Sequence, residues 1–294
     1  MTSPTLHPKH LLAPRGLRPK SSFGQNFLAD ERQLDAIARC ILNLRAAPTD
    51  PIVELGAGAG ALTKVLLDSG ATLHAVERDR DMVPILRERF EEEIGAERFF
   101  VHEANAVTFP YEPLAGGKGI LCGNLPYHLT SSLVLRAIEG IDSLQGVVFL
   151  VQWEVAERLA ASPGNKSWGV LSVLLQYVFD VELALRVPKG AFWPVPEVDG
   201  GVVRMVPRPS PRGGDVGMEA LKTVVKTAFG QRRKTLRNTL AKLGGTTLLE
   251  EAGVDPGLRA ERLEVEDFVR LAQIWSDART HEAQAEPISG ADDA

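Results

Sequence analysis

Two cysteines in 294 residues leave no material for a disulfide framework, and Cys40 and Cys122 lie too far apart in sequence for a clustered zinc site. No metal is expected, and both thiols read as ordinary buried side chains. Long apolar runs are missing too: no window approaches the ~18 uninterrupted apolar residues of a membrane-spanning helix. Residues 1–20 offer only Leu11-Leu12-Ala13 as an apolar run, too short for a signal peptide, so the expected location is the cytoplasm with no membrane partner. The chain also lacks an internal repeat of about 20 to 50 residues, which excludes solenoids and propellers.

Charge is absent by sign in three places, so the net charge of -5 hides a segregated chain. Residues 1–20 hold Lys9, Arg15, Arg18 and Lys20 without an acid, while the last 15 residues hold Glu282, Glu286, Asp292 and Asp293 without Lys or Arg. Residues 221–249 hold seven basic side chains, Lys222, Lys226, Arg232, Arg233, Lys234, Arg237 and Lys242, again without an acid. Such a stretch can contact phosphate.

What is present is enough for a full core: 44% hydrophobic and 24% charged residues, with room for a second, smaller domain. Residues 1–20 mix Pro, Arg and short apolar pieces without a period and are expected to form a basic flexible arm. From there the pattern alternates. A helix is predicted over 31–44 behind the cap Asp30, a strand over 51–55, a glycine-rich turn, a helix over 61–68 and a strand over 72–77. A helix over 82–92, strands near 99–102 and 120–122, a helix over 131–139 and a buried strand over 146–151 follow. This predicts an α/β fold, a doubly wound Rossmann-like sheet over 21–206. The Pro, Arg and Gly segment 207–214 then marks a connector, followed by a smaller all-α domain over 215–277 and a disordered acidic tail over 278–294.

Gly56-Ala57-Gly58-Ala59-Gly60 directly follows the first strand of this sheet. Glycines there let the backbone turn sharply and approach a ligand, and the next helix start supplies free N–H groups. Gly56 and Gly58 are therefore candidate ligands of a nucleoside-type cofactor, although the spacing also suits a dinucleotide. Glu77 closes the second strand, where a carboxylate can accept from both hydroxyls of a ribose. Glu54 sits in an apolar strand end, where its charge needs compensation by backbone N–H groups or a cationic ligand. Both roles stay open at this stage.

Asn124-Leu125-Pro126-Tyr127, at the end of a buried strand, resembles the motif of amino-directed methyltransferases. The amine of adenine is a poor nucleophile because its lone pair is delocalised into the ring. Acceptors that hold its protons let the nitrogen pyramidalise. The Asn124 oxygen and the Leu125 carbonyl are suitable acceptors, Pro126 fixes the backbone and Tyr127 can stack on the base.

Further segments extend the likeness: Phe23-Gly24-Gln25-Asn26-Phe27-Leu28, Gln152 through Leu159, Gly169 through Val173, Ala191 through Asp199, and Phe229 through Asn238. With them the chain resembles the bacterial small-subunit ribosomal RNA adenine dimethyltransferase family from about Lys20 to Phe268. The resemblance implies S-adenosylmethionine as cofactor, held by Asn26, Leu28, Gly56, Gly58, Glu77, Asn105 and Asn124. It implies a catalytic set of Asn124, Leu125, Tyr127 and Phe192, with Phe192 facing the base opposite Tyr127. It implies an RNA partner, small-subunit ribosomal RNA or the assembling subunit. The acid-free run makes Lys222, Lys226, Arg232, Arg233, Lys234 and Arg237 the candidate RNA contacts, and a monomer is expected. Three positions depart from the family pattern: Asn105 stands where Asp is usual, Trp153 where Lys is usual and Gly200 where Ser is usual.

Independently of the resemblance, residues 221–240 taken as one helix place Lys222, Lys226, Arg233 and Arg237 within an arc of roughly 60°. Leu221, Val225, Phe229, Leu236 and Leu240 form the apolar face beside it. The expected reaction is in-line methyl transfer to adenine N6. Methylation of large-subunit RNA and a non-catalytic assembly or transcription factor are the alternatives. A nicotinamide dehydrogenase would need a His, Lys or Tyr constellation that the sequence does not display.

Overall fold

The computed structural model describes residues 7–111 and 118–285. Among the described residues the strands are β1 (Phe27–Leu28), β2 (Ile52–Leu55), β3 (Leu73–Glu77), β4 (Phe99–Glu103), β5 (Gly119–Asn124), β6 (Leu144–Gln152), β7 (Phe179–Val187), β8 (Phe192–Trp193) and β9 (Gly200–Pro207). Seven form one sheet in the order β4-β3-β2-β5-β6-β9-β7, and β1 pairs with β8 in a separate antiparallel ribbon. β4, β3, β2, β5 and β6 run parallel, while β9 is antiparallel to both β6 and β7.

The parallel strands are apolar because helices cover them: β2 is buried throughout and β6 is buried over most of its length. Helix Glu31–Leu42 shows how sequence makes an element. The Asp30 side chain accepts the Gln33 N–H at 3.0 Å, and Leu34, Ile37, Ala38 and Ile41 recur at helical spacing on the buried face. Helix Ala61–Asp68 begins at Gly60, whose φ of 79° is left-handed, and buries Leu62, Thr63, Leu66 and Leu67. The crossover from β2 through this helix to β3 is the expected βαβ unit.

The chain divides into two compact units, Met1–Ala160 with Phe179–Pro207, and Ala161–Val178 with Arg208–Ala294. This corrects the reading of 21–206 as one continuous domain and 215–277 as the complete helical one. Helix Val170–Val178 belongs to the second unit because its buried face, including Val173, Leu174 and Tyr177, meets helix Met218–Phe229 there. The Tyr177 hydroxyl accepts the Val216 N–H at 2.9 Å, and Trp168 Nε1 donates to the Leu263 carbonyl at 3.1 Å. The core of this unit adds Leu221, Val225, Leu236, Leu240, Leu249 and Phe268.

Two terminal expectations also change. Helix Pro8–Leu12 lies inside the segment expected to be a flexible arm, and its Leu11 and Leu12 join a buried cluster with Phe27, Ala59, Met82 and Ile85. Burial of two leucines is the physical reason for order there. At the other end, helix Val265–Ala285 continues into the expected acidic tail, whose remaining residues lie outside the described ones.

Candidate functional site

β2, β3, β4, β5 and β6 bring their last residues, Leu55, Glu77, Glu103, Asn124 and Gln152, to one edge of the sheet. Open α/β sheets bind ligands in the crevice outside these ends. A cavity there is lined by Asn26, Leu28, Gly56, Gly58, Glu77 and Asn105, and by Asn124, Leu125, Tyr127 and Phe192. The residues expected to bind cofactor and those expected to face the base thus line one cavity.

Two glycines make the approach possible. Gly58 has φ 55°, and a Cβ on it would lie 2.9 Å from Phe27 Cε1. A Cβ on Gly123 would lie 2.3 Å from the Leu55 carbonyl oxygen, so only glycine lets β5 carry Asn124 this close to β2.

Glu77 is 7% exposed, and its two carboxylate oxygens accept the N–H groups of Gly58 and Asp79, each at 2.7 Å. Burial raises its carboxyl above the usual range despite those bonds. Each oxygen retains capacity for a ligand hydroxyl. Glu54 lines the same cavity and accepts from Thr63 Oγ1 at 2.6 Å, while burial pushes its carboxyl up to about 7. The helix that follows the glycine turn therefore supplies the polar partner which the strand position demands.

Asn124 Nδ2 donates to the Asn26 carbonyl at 2.9 Å. With its nitrogen so anchored, the amide oxygen is the end left to accept from a ligand. The Leu125 N–H donates to the Leu150 carbonyl at 2.9 Å, fixing the backbone just before Pro126. Tyr127 is 39% exposed, and burial of the remainder raises its phenol above the usual value. Phe192, by contrast, is 6% exposed and paired with Leu28 across the β1–β8 ribbon. It borders the cavity as part of the core, with less free ring surface than a stacking platform such as Tyr127.

Asn105 lies just beyond β4 and its Oδ1 accepts the Val107 N–H at 3.1 Å. One lone pair of this oxygen is thus committed to the loop. Trp153 lies under Arg186, whose guanidinium carbon is 4.7 Å from the ring centroid, and Arg186 pairs with Asp199 at 2.9 Å.

Lys20, Gln25 and Asp79 were not singled out from sequence as a group. The buried Asp79 accepts from Lys20 Nζ and from Gln25 Nε2, the latter at 2.7 Å, and Lys20 also pairs with Asp81 at 2.6 Å. Burial pushes the Asp79 carboxyl up, but these bonds and the Asp81 N–H outweigh it and hold it below the usual range. The network ties the segment before Asn26 to the residue that donates to Glu77. Asp79 lies 54 to 59 residues from Gln25 and Lys20, and the sequence signal nearest to the network was Gln25 within the Phe23–Leu28 motif.

In the second unit, helix Met218–Phe229 stops at Gly230, and helix Leu236–Thr239 begins after an irregular segment. This corrects the reading of residues 221–240 as one helix, and the single basic arc with it. Lys226, Arg232, Arg233, Lys234 and Arg237 are exposed, whereas Lys222 is half-buried and pairs with Glu219 at 2.8 Å. The apolar expectation fares better: Leu221, Val225, Leu236 and Leu240 are all buried. Among the described residues there is no group of three or more His, Cys, Asp or Glu suited to a metal ion, and no helix long and apolar enough to cross a membrane.

The family model described as ribosomal RNA adenine dimethylase matches residues 16–277. A ribosomal RNA small subunit methyltransferase A from Anaeromyxobacter sp. strain K is 46% identical over 290 residues, covering 92% of this chain and 98% of the relative. The protein of that name from Pseudomonas fluorescens is 42% identical over 262 residues, covering 88% and 95%. Among solved structures, a dimethyladenosine transferase from Plasmodium falciparum shares the fold with a TM-score of 0.74 at 22% identity, covering 85% of this chain and 98% of that one. The 23S rRNA methyltransferase ErmE has a TM-score of 0.67 at 25% identity, covering 85% and 100%.

Proposed function

The chain belongs to the ribosomal RNA adenine dimethylase family, and on that footing we propose that it transfers two methyl groups from S-adenosylmethionine to N6 of adenine in small-subunit ribosomal RNA. The observation that carries this reading is the orientation of Asn124, whose amide nitrogen is held by the Asn26 carbonyl so that its oxygen is left for a base amine. A small-subunit substrate is favoured over a large-subunit one by relatives of that name at 42% and 46% identity over nearly their whole length.

The residues at the sheet edge fit an adenosyl ligand. Glu77 offers carboxylate oxygens already oriented by Gly58 and Asp79, the Gly56 to Gly60 turn leaves its backbone open to close approach, and Asn105 offers an amide at the end of β4. Asn26 and Leu28 would close over it from the β1 side. When bound, S-adenosylmethionine supplies an electrophilic methyl group on a cationic sulfur.

Asn124 Oδ1 and the Leu125 carbonyl accept the protons of N6 and draw its lone pair out of the ring. Tyr127 and Phe192 flank the base, offsetting part of the cost of unstacking it from RNA. As the new bond to nitrogen forms, the amine becomes acidic and releases its proton to water, so no strong base is needed. Rate comes from alignment and from acceptors already in place. Arg232, Arg233, Lys234 and Arg237, with Lys226, supply exposed positive charge for RNA phosphates, on naked RNA or on an assembling subunit in the cytoplasm.

The test is incubation of the protein with labelled S-adenosylmethionine and unmodified small subunits, followed by mass spectrometry of the nucleosides. N6,N6-dimethyladenosine is expected. Absence of any N6-methylated adenosine sinks the reading.

A further inference from the structure

The rim of the cavity carries a cation held against an aromatic ring. Val151 and Gly200 line the cavity, and just outside it stand Trp153, two residues after Val151, and Asp199, one before Gly200. Gln152, next to Trp153, hydrogen-bonds the Tyr127 hydroxyl. β9 separates Trp153 from β7, yet the indole reaches across it because Gly201, paired with both Val151 and Arg186, has no side chain: a Cβ there would lie 3.2 Å from Trp153 Cε3. The Arg186 guanidinium carbon then sits 4.7 Å from the ring centroid. Asp199 fixes the arrangement, its carboxylate accepting from Arg186 Nε at 3.0 Å and from the Lys189 N–H at 2.9 Å, and its carbonyl accepting the Trp153 N–H at 2.9 Å. So anchored, the Arg186 side chain is still 61% exposed.

Two features decide what such a group receives. An arginine that is both stacked and ion-paired has already given up much of its rotamer freedom, so a ligand need not order it. Its charge is also answered by Asp199, so it offers a planar surface more than a bare charge for phosphate.

We propose that Arg186, backed by Trp153, is a stacking platform for the base of a nucleotide next to the target adenine. The proposal rests on the adenine-methylating reading above and adds a contact for the neighbour. An adenine that enters the cavity past Tyr127 leaves its neighbours on the strand outside, with an uncovered face where it had stacked. The platform begins within two residues of the cavity wall and covers such a face, so the RNA recovers part of the stacking it gave up. The contribution is to substrate affinity, since Trp153 and Arg186 lie outside the residues that line the cavity.

Stacking needs the planar guanidinium, whereas a phosphate contact needs only the charge, so Arg186→Lys separates the two. Arg186→Lys is expected to raise KM for unmodified small subunits about 10-fold, as Arg186→Ala does, and to lower kcat far less. In Arg186→Ala the slope of log K against log salt is expected to hold, where loss of a phosphate contact would reduce it by about 1. Trp153→Phe keeps a ring behind the guanidinium and is expected to retain most of the affinity that Trp153→Ala loses. Binding of S-adenosylmethionine without RNA, which general loss of structure would weaken, is expected to stay the same in all four variants. Photoreactive benzoylphenylalanine in place of Val198, which is 43% exposed on the same rim, is expected to crosslink within about two nucleotides of a methylated adenine.

A wild-type KM in Arg186→Lys, a salt slope reduced by about 1 in Arg186→Ala, or a crosslink elsewhere or none overturns the proposal. A wild-type chain that methylates no adenine overturns the underlying reading instead, so the two failures are distinct.

Discussion

Glu54 is a carboxyl group whose environment disfavours its charge: burial raises it from 4.5 to about 7, although Thr63 donates to it. Between those values the folded chain keeps a proton that the unfolded chain has released. The stability linked to this group is fully present below about 4.5 and is lost as pH rises through about 7. The loss is on the order of 3 kcal/mol at most. Glu54→Gln keeps an acceptor for Thr63 and removes the titration, so its Tm is expected to exceed the wild-type value at pH 8 and to approach it at pH 5. Thermal unfolding across this range checks the difference. Asn124 calls for a kinetic comparison instead. Asn124→Ala is expected to lower kcat by ~100-fold or more, in keeping with loss of one preorganised polar partner, and to weaken S-adenosylmethionine binding far less, by about 10-fold at most. Calorimetric titration beside turnover separates the two, and equal losses would deny Asn124 its role toward the amine.

At the scale of elements, helix Pro8–Leu12 supports the cofactor side of the site through contacts it shares. Leu12 is fully buried in the cluster that includes Phe27, and the Phe27 ring lies where a Cβ on Gly58 would be. Leu12→Ala is expected to cost about 2–5 kcal/mol of stability and to weaken S-adenosylmethionine binding. Chemical denaturation and a binding titration read the two effects. This helix was hidden in the sequence because five residues carry too few turns to display a period, and its order comes from a tertiary cluster. β2 and its glycine turn were legible for the opposite reason: an apolar run, positive-φ glycines and a following helix all lie within about 20 residues of one another. β7 and β9 were not read as strands, since β7 alternates imperfectly between exposed and half-buried residues and pairs with a strand beyond the β8 ribbon. The basic stretch misled because its apolar spacing spans a break: Leu236 and Leu240 are buried, but they stand after Gly230, on and just past a separate short helix. Asn124, Glu77 and the glycines lie at one sheet edge because each ends or follows a strand whose hydrophobicity announces it.

At the scale of the whole molecule, a net charge of -5 coexists with an acid-free run whose basic side chains are mostly exposed. Affinity for RNA should therefore fall steeply with salt while the average charge stays negative. Replacing Arg233 and Lys234 together by Gln is expected to weaken RNA binding and to reduce the slope of log K against log salt by up to about 2. Filter binding at several salt concentrations measures it, and an unchanged slope would remove these two residues from the RNA contact. Connectivity gives a second test. A fragment ending at Pro207 contains Ala161–Val178 without the rest of its unit, leaving Val173, Leu174, Leu175 and Tyr177 without their partners. It is expected to aggregate or to show exposed apolar surface by dye binding, whereas deletion of Ala161–Val178 with a short bridge should make the sheet unit better behaved.

The three crossings of the chain between units also order events in time. During synthesis, helix Val170–Val178 leaves the ribosome before β7 and β9, and before helix Met218–Phe229, against which it packs. At ordinary rates of elongation it waits on the order of seconds for that partner. Its apolar face is exposed throughout that interval, while the sheet beside it in sequence still lacks its last two strands. The nascent chain therefore passes through a stage in which both units are incomplete together, and chaperone capture of ribosome-bound chains should peak between emergence of Val178 and emergence of Phe229.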